Sequence, residues 1–324
     1  MGQRSRLAIG VGVVGLCGLL VQEAWAVVPV GPSDVYVQGT QLMVRKRKTD
    51  GSLDVARPYI IKGLTWSAGT RAPAQGPNPL NPTQTVPYGF FFDWPSRVPQ
   101  GDKVLGFWLQ EEVEARYLTD LASIASMSAN TVRLYDEPNS DPAVSRLILD
   151  TCYERGIMVI MTVAGSKADL DTGRHLTIVN RYKDHPAILM WSLGNEWNLN
   201  LYYGYPDLTS AANATQQAAQ AIASADSFHP VSSSLGDIPT GVVGSVPAVE
   251  IWGLNVYRGI NFGNLFAQWQ AQTSKPFYLG EFGTDSFRST GYRVVNGYQA
   301  DDVTGVVDQA QQASSQSQMQ AMAQ

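Results

Sequence analysis

The chain has 324 residues, of which 44% are hydrophobic and 16% charged, and its formal net charge at pH 7 is −5. This is a globular composition with enough apolar residues to fill one large core. The one dense basic cluster, residues 45–48, lies between strand-like segments just before the turn Asp50-Gly51, and we interpret it as a solvated hairpin end. No basic patch therefore argues for nucleic acid as a partner.

Residues 1–26 have the pattern of a secretory signal peptide. Two early arginines give a positive start, residues 7–21 are apolar, and Ala24-Trp25-Ala26 offers a cleavage site. The apolar run is short for a membrane-spanning helix. We therefore predict a secreted protein, extracellular or periplasmic, with no membrane association after cleavage. Cleavage would leave Cys152 as the one cysteine, so the core is predicted to need no internal disulfide.

A short β-hairpin is predicted next, over residues 27–57, from two strand-like segments at residues 35–39 and 41–45. The first candidate core strand follows at residues 59–66. Residues 67–107 are rich in Pro, Gly, Asn and aromatic residues and show no periodicity. They predict a long loop packed beside a site.

From residue 111 onward, helix-sized and strand-sized segments alternate. Repeated β/α units with no glycine-rich phosphate loop after the first strand favour a (β/α)8 TIM barrel over a doubly wound sheet. Helices are predicted at residues 111–127, 141–155, 208–225 and 263–272, with a short helical stretch through 170–182. Strands are predicted at residues 59–66, 131–136, 158–163, 187–194, 230–235, 249–257 and 276–281.

The predicted fold class is thus α/β, with a barrel domain at residues 58–298 that has seven visible strands. We predict either that the barrel is truncated before strand eight, or that it closes another way, for instance with the N-terminal hairpin. Residues 299–324 are rich in Gln, Ser and Ala. They are predicted to form a polar helical or disordered tail.

Two glutamates stand at equivalent places in this pattern. Glu196 follows the apolar run 187–194, and Glu281 follows a second apolar strand and Gly280. A carboxylate fixed where a buried strand ends costs stability unless it is paired, so two such cases suggest chemistry. Residues just past the carboxyl ends of barrel strands converge on one mouth, where strands four and seven would face each other.

Two carboxylates with room for a small molecule between them are suited to cleaving a glycosidic bond. One must stay protonated to donate to the leaving oxygen, and the other must stay ionised to attack the anomeric carbon. The histidines lack metal-ligand spacing, and no phosphate loop or Gly-x-Ser-x-Gly motif occurs in the chain. We therefore predict no cofactor and no metal.

The strings that carry the two glutamates resemble those of a known clan of enzymes. They are His185-Pro-Ala-Ile-Leu-Met-Trp-Ser-Leu-Gly-Asn-Glu196 and Leu279-Gly-Glu-Phe-Gly283. They resemble the acid/base and nucleophile strands of clan A glycoside hydrolases, closest to the family 2 catalytic barrel of the β-galactosidase and β-glucuronidase type. The resemblance covers about residues 58–290, and it implies the (β/α)8 fold.

The resemblance also implies roles for individual residues. Glu196 corresponds to the acid/base, Asn195 to the residue that binds the sugar 2-hydroxyl, and Glu281 to the nucleophile. The family's Leu-Asn-x-Tyr strand matches residues 254–257, so Tyr257 corresponds to the tyrosine that hydrogen-bonds the nucleophile. Arg133 corresponds to the strand-two arginine near the same carboxylate.

These implied roles are physically consistent. A hydrogen bond from Tyr257 and a positive charge at Arg133 would both favour the ionised form of Glu281, as a nucleophile requires. Asn255 and Tyr257 are two residues apart, so they share one face of their strand, which could point inward as a substrate-binding face.

Aromatic side chains are candidate sugar platforms, because the apolar faces of sugars stack on aromatic rings. The strongest candidates are Trp197, beside Glu196, and Trp66, at a strand end. Further candidates are Trp94, Trp191, Trp252 and Tyr135.

The sequence thus predicts a secreted, retaining β-glycoside hydrolase that acts on a poly- or oligosaccharide by double displacement. A rival is a transglycosylase resembling the fungal-wall β-1,3-glucanosyltransferases, whose barrel uses the same two glutamates. The rival from another class is a non-catalytic carbohydrate-binding barrel or an inactive fragment. The sugar and the oligomeric state are left open.

Overall fold

The computed structural model describes the N-terminal hairpin and most of the barrel. The predicted signal peptide, residues 1–26, and most of the predicted loop 67–107 lie outside the described residues. The described residues are 28–66, 76–78, 81–86, 110–139, 141–258, 262–283, 287–289, 292–295, 298–301, 305–307, 314–315 and 317–318.

The secondary structure follows the predicted alternation. The strands are β1 Asp34–Gln38, β2 Gln41–Arg45, β3 Arg57–Pro58, β4 Gly63–Thr65, β5 Gly76–Asn78, β6 Asn81–Val86, β7 Thr131–Leu134, β8 Met158–Ala164, β9 Ile188–Asn195, β10 Val231–Gly236, β11 Ile251–Asn255, β12 Phe277–Glu281, β13 Phe287–Ser289, β14 Tyr292–Val295, β15 Tyr298–Asp301 and β16 Gly305–Val307. The helices are α1 Gln110–Ser126, α2 Pro142–Glu154, α3 Lys167–Asp171, α4 Arg174–Tyr182, α5 Leu208–Ala225 and α6 Leu265–Gln270, with 3₁₀ turns at Leu201–Gly204 and Val243–Ser245.

Among the described residues, seven strands form one parallel sheet in the order β4-β7-β8-β9-β10-β11-β12. An α-helix lies between successive strands except between β10 and β11, where the connection contains the 3₁₀ turn Val243–Ser245. The first and last strands are not joined by a hydrogen-bond ladder, but β12 lies beside β4. The sheet is therefore a nearly closed barrel of seven strands, and the predicted fold class is confirmed.

The central strand β8 forms because it is apolar on both faces. All seven residues of β8 are buried. Val159, Met161 and Val163 belong to the core shared with the surrounding helices, whereas Met158 and Ile160 belong to a second cluster inside the barrel. Side chains alternate between the two faces of a strand, so one continuous apolar run fills both layers.

Local signals fix the ends of the helices. Asp141 caps α2 by accepting from the Ala143 amide at 2.8 Å, and Pro142 occupies the first turn. Asp207 caps α5 by accepting from the Ser210 amide at 2.7 Å. Cys152 is fully buried on α2, and burial raises the pKa of its thiol.

The N-terminal hairpin covers the amino-terminal end of the barrel. The Val35 amide donates to Phe228 O, just before β10, at 2.8 Å, and Ser33 Oγ donates to Pro186 O, just before β9, at 2.8 Å. Val35, Leu42 and Val44 share the inner cluster with residues of the barrel strands. The hairpin and β3 form a separate antiparallel sheet, so the idea that the hairpin completes the barrel ladder is wrong.

After β12, the described strands pair only with one another. β13 pairs antiparallel with β16, and β14 with β15. In the described part of the chain no eighth strand joins the parallel sheet. Residues 298–301 and 305–307 form strands. The sequence instead predicts a helical or disordered tail from residue 299 onward.

Candidate active site

The two glutamates stand at the carboxyl-terminal edge of the barrel. Glu281 is the last residue of β12, and Glu196 directly follows β9. The Glu196 amide donates to Ser234 O at 2.9 Å, so the neighbouring strand β10 anchors the backbone that carries this carboxyl. Both carboxyls therefore project from the rigid sheet at the end where barrel active sites lie.

Arg133 connects the surroundings of the two glutamates. Its guanidinium is only 3% exposed. Nη1 donates to Glu281 Oε1 at 2.8 Å, and Nη2 donates to Asn195 Oδ1 at 2.7 Å. A planar fork with two donors can hold two acceptors in a fixed relation, so Arg133 orients both side chains at once.

Two tyrosines complete the hydrogen bonding of Glu281. Tyr257 OH donates to Oε2 at 2.9 Å, which is the contact that the family resemblance implies. Tyr135 OH donates to Oε1 at 2.6 Å. Tyr135 was expected only as a sugar platform, yet its spacing of two residues from Arg133 places both on one strand face. That spacing is the sequence signal for its contact with Glu281.

Asn255 links Glu196 to Arg133. Its side chain is buried, and Nδ2 donates to Glu196 Oε1 at 3.1 Å and to Asn195 Oδ1 at 3.0 Å. Arg133 Nη1 also lies 3.5 Å from Asn255 Oδ1. The network therefore runs without a break from Glu196 through Asn255 and Arg133 to Glu281.

The two carboxyls have different surroundings. Burial raises the pKa of Glu196 above its ordinary value; the Asn255 hydrogen bond and the Arg133 charge oppose this shift, and the charge of Glu281 adds to it. Glu281 instead accepts from a guanidinium and two phenols, all of which stabilise a carboxylate. Glu196 therefore keeps its proton to a higher pH than an ordinary carboxyl, and Glu281 is held by three hydrogen-bond donors.

Two glycines allow this close packing. A Cβ atom at Gly280 would lie 2.7 Å from Asn255 Oδ1 and 3.5 Å from Arg133 Nη1. Gly194 has φ of +69°, and a Cβ there would lie 2.7 Å from Trp197 Cδ1. Glycine is therefore a steric requirement at both positions, directly before Glu281 and two residues before Glu196.

The match to a known family lies over this region. Residues 170–316 match the family model described as "Glycosyl hydrolases family 2, TIM barrel domain". The predicted resemblance to the family 2 barrel is confirmed. The matched segment contains both glutamates, Asn195, Asn255 and Tyr257, and it supports the predicted glycoside hydrolase class. No curated protein sequence matches the chain significantly.

Solved structures of β-glucuronidases share the fold. The Dictyoglomus thermophilum β-D-glucuronidase superposes with a TM-score of 0.54 at 16% identity, over 90% of this chain and 45% of that one. The Bacteroides uniformis β-glucuronidase gives 0.55 at 16% identity, over 88% and 30%. The Bifidobacterium dentium enzyme, complexed with coumarin-3-O-glucuronide, gives 0.53 at 15% identity, over 90% and 40%. The chain thus spans less than half the length of these enzymes.

The burial of two tryptophans corrects their predicted role as sugar platforms. Trp197 is 2% exposed and donates from Nε1 to Ser233 Oγ at 2.9 Å. Trp66 is 7% exposed and donates from Nε1 to Asp120 Oδ2 at 3.2 Å. Rings packed in this way present no open face to a sugar. Among the remaining candidates, Trp191 and Trp252 are fully buried and Trp94 lies outside the described residues.

Among the described residues, no group of three or more His, Cys, Asp or Glu side chains could hold a metal ion. No helix in the same part of the chain combines the length and apolar character that crossing a membrane requires.

Proposed function

We propose that the chain is a retaining β-glycoside hydrolase in which Glu281 is the nucleophile and Glu196 the acid/base. The observation that carries the proposal is the network in which Arg133 and Asn255 tie these two carboxyls together. Burial favours the protonated form of Glu196, as an acid requires, and three donors hold the Glu281 carboxyl in place, as a nucleophile requires.

In the first step, a Glu281 oxygen attacks the anomeric carbon while the Glu196 proton passes to the glycosidic oxygen, and the bond from that carbon to the leaving group breaks. Oε1 accepts from both Arg133 and Tyr135, whereas in the described part of the chain Oε2 accepts from Tyr257 alone. Oε2 therefore has the more available lone pair and is the attacking atom.

In the second step, ionised Glu196 takes a proton from water, whose oxygen attacks the anomeric carbon and releases Glu281. Two inversions at the same carbon give net retention. Asn195, whose Oδ1 accepts from Arg133 and Asn255, is oriented to contact the sugar 2-hydroxyl. Such a contact stabilises the transition state when it strengthens as charge develops on the ring.

The test is covalent labelling. Purified protein is incubated with a panel of activated 2-fluoro β-glycosides that includes glucose, galactose, mannose and glucuronic acid, and the adduct is located by peptide mass spectrometry. The glucuronide is included because solved β-glucuronidases share the fold. An adduct on Glu281 identifies both the nucleophile and the sugar. Adducts on another residue, or equal labelling of Glu281→Gln, would contradict the proposal.

The acceptor is determined in a second measurement. Products shorter than an oligosaccharide substrate indicate transfer to water, as we propose. Products longer than the substrate would instead identify a transglycosylase on the same barrel.

Secretion is a further part of the proposal, supported by the charge and apolar pattern of residues 1–26. Expression of the full chain in a host with a general export pathway tests it. An exported protein whose first residue is Val27 is the expected result, and full-length protein retained in the cytoplasm contradicts it.

A further inference from the structure

Tyr203 contacts the backbone that carries the acid/base. It lies in the 3₁₀ turn Leu201–Gly204, which follows β9. The Asn195 amide donates to Tyr203 OH at 2.6 Å, and the same hydroxyl donates to Asn195 O. One side chain thus satisfies both backbone polar groups of the residue that precedes Glu196.

The backbone at this point has an unfavourable conformation. Gly194 has φ of +69° and Glu196 has φ of +55°, so left-handed residues stand on both sides of Asn195. Glycine adopts this region without cost, but a glutamate there is strained and persists only where its surroundings hold it. The direction of the Glu196 side chain depends on this conformation.

The Tyr203 ring packs between Gly194 and a small cavity. A Cβ atom at Gly194 would lie 3.1 Å from Tyr203 Cε2, so one side of the ring sits against that glycine. Tyr203 also borders a small cavity of about 20 Å³ that Trp197 and Leu170 help to line. The two hydroxyl hydrogen bonds add a directional link from this ring to the backbone of Asn195.

We propose that Tyr203 is a positioning residue that holds the Asn195–Glu196 backbone in its left-handed turn and so aims the acid/base carboxyl at the leaving group. The role rests on the proposed function of Glu196. Tyr203 acts through the backbone of Asn195 and not on the reacting atoms. Asn200 supports the same peptide, because its Nδ2 donates to Asn195 O at 3.0 Å.

The protonation of Tyr203 fits this role. Burial raises the pKa of its hydroxyl to about 12, so the group stays neutral and keeps its proton for donation over the working range of a protein.

The test uses Tyr203→Phe, which keeps the ring and removes the hydroxyl. The matched control is Tyr205→Phe, from the same loop, whose ring lies 5.5 Å from Lys167 Nζ. The first measurement is residue-resolved hydrogen exchange of the Asn195 amide, which needs no activity. We expect exchange to become about 3- to 10-fold faster in Tyr203→Phe and to stay unchanged in the control, as for the loss of one net hydrogen bond.

The second measurement separates acid catalysis from other steps. Two aryl β-glycosides of the sugar that labels Glu281 are compared. The 2,4-dinitrophenyl glycoside has a leaving group that needs no proton, whereas the phenyl glycoside has one that does. In Tyr203→Phe, kcat/KM for the phenyl glycoside should fall about 3- to 10-fold more than for the dinitrophenyl glycoside. A merely structural role would lower both equally.

The outcomes are distinguishable. Unchanged exchange at Asn195, or equal losses for the two leaving groups, overturns the inference about Tyr203. If no sugar labels Glu281 in the wild-type protein, the proposed function fails, while the exchange of the Asn195 amide still decides whether Tyr203 holds the turn.

Discussion

Arg133 and Glu281 form an ion pair of 2.8 Å that joins the second and the seventh strands of the barrel sheet. The sheet has a seam where its two end strands, β12 and β4, lie side by side without a hydrogen-bond ladder. The strands of Arg133 and Glu281 lie on opposite sides of this seam. Tyr135, just past β7, spans the same seam with its bond to Glu281 Oε1. The side chains that hydrogen-bond Glu281 therefore also connect the two edges of the nearly closed sheet.

Arg133→Lys should separate charge from geometry. Lysine keeps the positive charge but cannot hold Glu281 and Asn195 with one planar fork. Losing one charge-assisted hydrogen bond at the transition state corresponds to a decrease in kcat/KM of about 10- to 100-fold. Steady-state kinetics on the sugar that labels Glu281 measure it. Arg174→Lys is the control, since its guanidinium pairs with Asp136 at a site 35% exposed; equal losses in both variants would contradict the role of Arg133.

Much of the barrel could be predicted from the sequence, because continuous apolar runs mark buried parallel strands. A glycine followed closely by a glutamate marks the ends of two of them. The positions of Glu196 and Glu281 followed from that pattern alone. The contacts of Arg133 and Tyr257 with Glu281 were implied by the family resemblance and are present in the structure.

What the sequence could not predict depends on the packing of loops and rings. Trp197 directly follows Glu196, yet Glu196 adopts a left-handed conformation and the Trp197 ring is buried in the core. Tyr203 reaches back to Asn195 through a turn whose residues also have positive φ, a conformation that no local residue pattern predicts for Leu, Tyr and Tyr. The hairpin pattern predicted two strands but not which end of the barrel they cover.

Gly280→Ala should disrupt the site without changing any charge. The added Cβ would meet Asn255 Oδ1 at 2.7 Å, so Asn255 must move away from Glu196 and Arg133. We expect a loss of about 1–3 kcal/mol in the free energy of unfolding, as for an overpacked core, and a fall in kcat/KM of at least about 10-fold. Urea denaturation and kinetics measure the two effects. Gly244→Ala is the control, because a Cβ there meets nothing within 4 Å; wild-type behaviour of Gly280→Ala would mean that Asn255 is not held as described.

The alkaline limb of the pH profile should belong to Glu196. Proton donation needs the protonated carboxyl, and burial raises its pKa above the ordinary range. Activity should therefore fall as the pH rises through this raised pKa, at a higher pH than an ordinary carboxyl with a pKa of about 4.3 would give. Measurement of kcat/KM against pH for a phenyl glycoside, whose leaving group needs the proton, is the test. In Glu196→Gln the alkaline limb should disappear, and its persistence would assign it to another group.

The same shift predicts a pH-dependent gain in stability for Glu196→Gln. A carboxyl whose pKa is raised on folding favours the folded state most at low pH, and that contribution is lost as the pH rises from the unfolded pKa through the folded one. Glutamine carries no charge and can still accept from Asn255. The Tm of Glu196→Gln relative to wild type should therefore increase between pH 4 and pH 8, as measured by calorimetry. A constant difference over this range would show that ionisation of Glu196 does not cost stability.

Leu42→Ala should weaken the fold and leave the chemistry intact. Leu42 is 6% exposed and packs from the hairpin into the inner cluster at the amino-terminal end of the barrel, opposite the edge that carries the glutamates. Removing a buried leucine side chain costs about 2–5 kcal/mol in the free energy of unfolding. Below the lowered Tm, kcat should match that of the wild type, because the sheet still fixes Glu196 and Glu281. Val30→Ala is the control, since Val30 is 92% exposed and its loss should change neither quantity. A fall in kcat without a fall in Tm would mean that the hairpin acts on the active site and not on the stability of the barrel.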